Sequence, residues 1–329
     1  MIYPKSLNKV KTMGIFAPSS GVGNKLERLE IVKKYFEKQG YRLEITKSVT
    51  NSGIVSNTPE IRIKEFEALL KNDKVDVIFC ASGGEFAIEI APYIDFKLLK
   101  KYPKYIVGFS DSTIITYLTM VNADIATITS YNFINISKVI NHESLENLLK
   151  IINNENVIQK KYDFYGNDKN NDSLVFNVKT QYVSNRNKIN ISARIIGGTV
   201  ECLSEILGMP YNNTNAFICK YEEDGFIWYF DICEMNSNDF YRTLLRMNHL
   251  GYFKNVKAVL IGRKTKDCEE RDIGYFEAIL KIFGDIPIIE DVDIGHTYPM
   301  FSIINGAIAN IKYENNDFSL SFENLWSEK

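Results

Sequence analysis

Tyr105–Thr113, YIVGFSDST, is an apolar run that stops at Gly108, carries Ser110 into a turn and opens a helical pattern over Ser112–Val121. A strand that feeds a helix through a short turn is the repeating unit of a parallel α/β sheet, because the helix must cross back before the next parallel strand can begin. A serine at such a turn exposes its hydroxyl at the sheet's C-terminal edge, where backbone N–H groups can stabilise an oxyanion. The position two residues on, glycine in the α/β-hydrolase elbow, is Ser112 here, so that motif is absent. A serine that merely caps the following helix also fits the local pattern.

Working outward, Thr12–Phe16 reads as a buried strand running into APSSG, followed by a helix through Leu29, Val32, Tyr35 and Phe36 that stops at Gly40. Tyr41–Thr46 alternates as a strand, Pro59–Asn72 has helical periodicity, and Val75–Cys80 is a further buried strand. Such alternation predicts a doubly wound parallel sheet, with ligands in the crevice beyond the strand C-termini. ASGGEF (Ala81–Phe86) and Ser110 then terminate two strands in the same way, so their turns are expected to face one pocket. Gly83-Gly84 matches neither GxGxxG nor GxxxxGK[ST], which argues against a dinucleotide or P-loop site; tight turn packing and a backbone oxyanion donor both remain open for it.

Beyond Glu155 the composition shifts to Asn, Asp, Lys and Gly, with SLVFNV and TQYV as strand-like islands. The predicted organisation is an N-terminal flavodoxin-like α/β domain over 1–160 carrying the nucleophile, a linker region over 161–190, and a C-terminal α/β domain over 191–329. In the last, IIGGTVECLSEILGMP (Ile195–Pro210) reads as a turn into an amphipathic helix. Gly225–Cys233 reads as an apolar strand ending near Asp231, with Glu234 beyond it. The helix Asn238–Leu250, the strand Lys257–Gly262, the helix Asp272–Phe283 and a hairpin turning at Asn315-Asn316 follow.

With Lys+Arg 39 against Asp+Glu 41, the formal net charge of -2 gives no electrostatic case for nucleic acid or an anionic membrane. No apolar run has the length of a signal sequence or a membrane span, so the expectation is a cytoplasmic protein. Five widely spaced cysteines suit buried reduced thiols, and no CxxC or HExxH is present, so neither metal nor cofactor is expected.

Of the three histidines, His142 opens a polar helix start and reads as solvated, while His249 lies in a helix's last turn and reads as a cap. His296 sits in DIGHTYP, a loop after a buried strand; it reads either as a surface residue or as a catalytic base. Ser110, an acid near a strand end and His296 then occur in the order nucleophile, acid, base, the residue types a serine hydrolase needs.

The ordered set GIFAPSS, ASGGEF with APYIDF, VGFSDST, SYNF, IIGGTVECLSEILGMP, WYFDICE with YRTLLRM, VLIGR and GHTYPMFSIINGA resembles the LD-carboxypeptidase and microcin-immunity serine peptidases, family S66, over nearly the whole chain. The resemblance implies Ser110 as nucleophile, His296 as base, and the backbone N–H groups near Gly84 and of Asp111 as oxyanion donors. It also implies a metal-independent mechanism and a two-domain homodimer with the active site between the domains. Relatives usually carry Glu as the triad acid; the matching strand end here is Asp231, with Glu234 as the alternative. Where many relatives have tyrosine, this chain has Glu85-Phe86, and a carboxylate at Glu85 could meet a cationic substrate group. The implied reaction is amide hydrolysis on a small peptide, either an LD-peptide bond of murein or the acyl-amide bond of a peptide-nucleotide antibiotic. A catalytically silent peptide-binding protein is the alternative from another class.

Overall fold

The computed structural model describes residues 1–4, 11–166, 175–323 and 325. They fall into two units, Met1–Val157 with Ser302–Asn305, and Ile158–Phe301 with Gly306–Glu323.

In the first unit, strands β1 (Thr12–Phe16), β2 (Arg42–Ile45), β3 (Val77–Cys80), β4 (Tyr105–Gly108) and β5 (Thr127–Thr129) form a parallel sheet in the order β5-β4-β3-β1-β2, with Ile303–Asn305 antiparallel on the outer side of β5. Helices α1 (Leu26–Lys38), α2 (Pro59–Lys71), α3 (Phe96–Lys101), α4 (Thr113–Ala123) and α5 (Glu143–Ile152) intervene. The central strands β1, β3 and β4 are buried along their whole length, which explains why they read as unbroken apolar runs; β2, at the edge, alternates. Phe16 stacks on Phe66 of α2, and Phe133 meets both Phe36 of α1 and Phe79 of β3, so aromatic pairs tie the helices to the sheet. His142 is not simply solvated: its half-buried imidazole accepts the Ser144 N–H and so caps α5, a ring nitrogen doing what Asn or Asp does at other N-caps.

The second unit holds β6 (Ile158–Lys160), β7 (Phe164–Tyr165), β8 (Val178–Lys179), β9 (Val183–Ser184), β10 (Lys188–Thr199), β11 (Phe226–Asp231), β12 (Val256–Gly262) and β13 (Ile288–Val292). After β14 (Ile303–Asn305), which belongs to the first unit, β15 (Ile308–Glu314) and β16 (Asp317–Phe322) complete it. Its eight-stranded sheet runs β6-β16-β15-β10-β11-β12-β13-β9, parallel from β10 to β13 and antiparallel outside. Helices α6 (Val200–Glu205), α7 (Thr214–Lys220), α8 (Ser237–His249) and α9 (Tyr275–Phe283) connect these strands, and His249 is the last residue of α8.

Two stretches differ from the sequence expectation. Within 161–190 the described residues contribute β9 to the large sheet and the small β7–β8 pair, so this stretch adds strands to the second unit. IIGGT is the end of a long strand and not a turn: a Cβ on Gly197 would lie 1.9 Å from the Tyr229 carbonyl oxygen, so close strand approach, and not a bend, demands that glycine. Of the five cysteines, all free, Cys80 and Cys202 are buried, Cys233 and Cys268 are half-buried and Cys219 is exposed. No helix among the described residues is long and apolar enough to cross a membrane.

Candidate active site

The first unit carries the candidate nucleophile. β4 delivers the chain to Phe109, and Ser110, at φ 61, opens a single 3-10 turn that leads into α4. A left-handed serine is strained by about 1–2 kcal/mol, so surrounding contacts must impose it. They come chiefly from Asn132, whose Oδ1 accepts the Phe109 N–H at 3.2 Å and the Ser112 hydroxyl at 3.1 Å while its Nδ2 donates to the Phe109 carbonyl at 3.1 Å. Asp111 is buried and accepts the Ala87 N–H at 2.9 Å; burial raises its pKa even though Ser19 and the Ala87 and Phe86 backbone groups bond to it. The Ser110 and Gly83-Gly84 turns adjoin, and a Cβ on Gly83 would sit 3.0 Å from the Ser110 Oγ. Arg62, buried from α2, steadies the same region by donating to the Pro18 and Phe86 carbonyls and pairing with Glu89. Glu85 is exposed on this turn.

The second unit carries the acid and the histidine. β11 ends at Asp231, which is buried, and its Oδ1 lies 3.0 Å from the Nδ1 of His296, its Oδ2 2.9 Å. The Thr199 hydroxyl, from the end of neighbouring β10, donates to Asp231 Oδ2 at 2.8 Å. Burial alone would lower the His296 pKa, but the Asp231 carboxylate and its hydrogen bond, joined by Cys233, outweigh it and raise the pKa well above the ordinary value. Glu234 is exposed, and its backbone N–H goes to Glu201, which also takes those of Cys233 and Met235. The structure thus brings Asp231 and His296 together and leaves Glu234 on an exposed loop.

The His296 loop is held from both flanks. Buried Asp293 pairs with Arg263 at 2.5 Å, takes the Tyr162 N–H at 3.0 Å and bonds to the Tyr182 hydroxyl. Arg263 further donates to the Thr297 hydroxyl at 3.0 Å and the Pro299 carbonyl at 3.3 Å. Gly295, at φ 90, lies so close to the acid that a Cβ there would come 1.8 Å from Asp231 Oδ1. Gly295→Ala is therefore expected to cost about 3 kcal/mol from overpacking and backbone strain together and to displace His296. Denaturant unfolding combined with activity checks this, and a variant matching the wild type in both would show that the pair is not fixed by this contact.

Sequence reasoning missed Thr199, Asn132, Cys233 and Arg263. All four lie inside segments of the family pattern, SYNF, IIGGTVECLSEILGMP, WYFDICE and VLIGR, but nothing in those segments singled them out. Among the described residues no group of three or more His, Cys, Asp or Glu side chains is placed to hold a metal ion.

A left-handed serine at a strand-to-helix turn in one unit and a buried carboxylate–imidazole pair in the other belong to a two-unit α/β protein. The model of the LD-carboxypeptidase N-terminal domain matches residues 13–130, and that of the LD-carboxypeptidase C-terminal domain matches residues 192–311. The chain belongs to this peptidase family, S66. It is 33% identical over 113 residues to a probable murein peptide carboxypeptidase of Bacillus subtilis, an alignment covering 34% of this chain and 35% of that relative. It is 24% identical to the microcin C7 self-immunity protein MccF of Escherichia coli, with 90% of this chain and 88% of the relative covered. The crystal structure of an MccF-like protein from Bacillus anthracis has the same fold, with TM-score 0.83 at 20% identity over 98% of this chain and 99% of that one.

Proposed function

We propose that Ser110 attacks a substrate amide carbonyl while His296 takes its proton, that His296 returns the proton to the leaving amine, and that Asp231 holds the imidazole in the required tautomer. The acyl-enzyme is then released by a water that His296 activates in the same way. The backbone N–H groups of Gly84 and Asp111 hold the oxyanion, and Glu85 contacts the substrate. The observation that carries this reading is the Asp231–His296 contact through Nδ1, because a carboxylate on Nδ1 leaves Nε2 as the basic nitrogen. Membership of a peptidase family supports it.

The substrate is read as an LD-peptide bond of a murein-type peptide, in line with the name of the Bacillus subtilis relative. The self-immunity relative supports the alternative, an amidase acting on a peptide-nucleotide antibiotic. The same family reading carries a metal-independent mechanism and a cytoplasmic homodimer. Incubation with a fluorophosphonate followed by intact and peptide mass analysis tests the enzyme reading. One phosphonyl group on Ser110, lost in His296→Ala, is the expected result. An unlabelled Ser110 would overturn it in favour of a catalytically silent binding protein.

A further inference from the structure

Asp239, Arg242 and Arg246 recur on α8 at spacings of three and four, which places them on one helix face. Together with Glu201 and Glu234 they line a cavity of about 550 Å³ lying wholly within the second unit. The catalytic reading assigns no task to this cavity. Its charges are not mutually satisfied. Arg242 pairs with Asp239, whose other oxygen takes the Asn236 amide. That leaves Arg246, which makes no ion pair among the described residues.

Glu201 is the unusual member. Its Oε1 accepts three backbone N–H groups, from Cys233 at 2.9 Å and from Glu234 and Met235 at 2.8 Å. Its Oε2 is buried with no hydrogen-bond partner. An unsatisfied buried carboxyl oxygen is costly and calls for a donor. An anion alone would satisfy Arg246 and leave Glu201 as it is, while an amine alone would sit in the field of Arg246. A group bearing both charges satisfies both.

The place of the cavity matters as well. Glu201 clamps the backbone of Cys233, two residues past Asp231, and Cys233 hydrogen-bonds to His296. The cavity wall is therefore continuous with the strand end that bears the acid. We propose that this cavity is a recognition subsite for a zwitterionic amino-acid group, with the ammonium on Glu201 Oε2 and the carboxylate on the Arg246 guanidinium. Its assignment to substrate, as opposed to a separate ligand, rests on the hydrolase reading above; the charge argument does not. A peptide carrying a free amino-acid end, at its terminus or on a side chain, is the substrate class it would select.

Alanine is the smallest probe with both charges, and alaninamide and N-acetylalanine each remove one. In NMR titrations of the whole protein, alanine is expected to bind at least about ten-fold more tightly than either blocked form, a factor worth about 1.4 kcal/mol. Arg246→Gln should abolish the difference between alanine and alaninamide. Glu201→Gln, whose Oε1 can still accept the three N–H groups, should abolish the difference between alanine and N-acetylalanine. Equal binding of the three probes, no binding of alanine at about 100 mM, or variants that bind all three as the wild type does would each overturn the proposal. Run in the Ser110→Ala background, where the proposed nucleophile is absent, these binding outcomes are independent of whether Ser110 accepts a phosphonyl group.

Discussion

Ser110→Ala is expected to lower kcat/KM for amide hydrolysis by at least about 10⁴-fold, leaving only what binding and the oxyanion donors supply. Stability should change by about 1 kcal/mol or less. The backbone at this position is left-handed with serine already in place, and alanine carries the same Cβ, so the substitution adds no strain. The Asn132 clamp acts on Phe109 and Ser112, not on the deleted hydroxyl. Loss of activity with an unchanged unfolding curve is therefore the expected pair of results. Full activity in the variant would remove Ser110 from the mechanism.

Asp231→Asn should be nearly as severe, about 10⁴-fold in kcat, the scale of loss when a triad acid becomes an amide and the imidazole takes the wrong tautomer. The pH profile sharpens this test. His296 must be neutral to act as a base, and Asp231 raises its pKa against the opposing effect of burial. The wild-type kcat/KM should accordingly rise with pH along a limb above the ordinary histidine range. The residual activity of the variant should rise at lower pH, because the group holding the proton on is gone. Glu234→Gln, on the exposed loop, should leave both rate and profile close to wild type. A crippled Glu234→Gln with a near-normal Asp231→Asn would exchange the two roles.

What the sequence made legible follows from how local the causes are. Ser110 could be singled out because a buried strand, a glycine stop and a helix start are all written within nine residues. Asp231 could be placed because the apolar run of β11 ends on it. Its contact with His296 spans 65 positions, and no periodicity encodes such a distance; only the family pattern bridged it. Thr199 was hidden for a related reason. The glycines before it read as a turn, whereas the backbone of β11 passes so close that only glycine fits inside the strand. Over 161–190 the sequence offered only the strand-like islands SLVFNV and TQYV, since β7, β8 and β9 are each two residues long. Two residues carry no period to detect, and the strand that takes β9 into the large sheet, β13, lies far along the chain.

The late return of the chain to the first unit bears on the order in which the protein can be made. β5 receives its outer partner only from Ile303–Asn305, and that contact is reinforced by hydrogen bonds from the Asn305 amide to the Thr129 hydroxyl and between the Ser130 and Ser302 hydroxyls. During synthesis from the N-terminus the sheet that carries Ser110 therefore waits, with the outer edge of β5 unpaired, until Ile303–Asn305 has been made. An unpaired strand edge invites pairing with other chains. A fragment cut at the end of the first unit's long segment keeps Ser110 and its clamp but exposes that edge permanently, so the two units are not separable by a single cut.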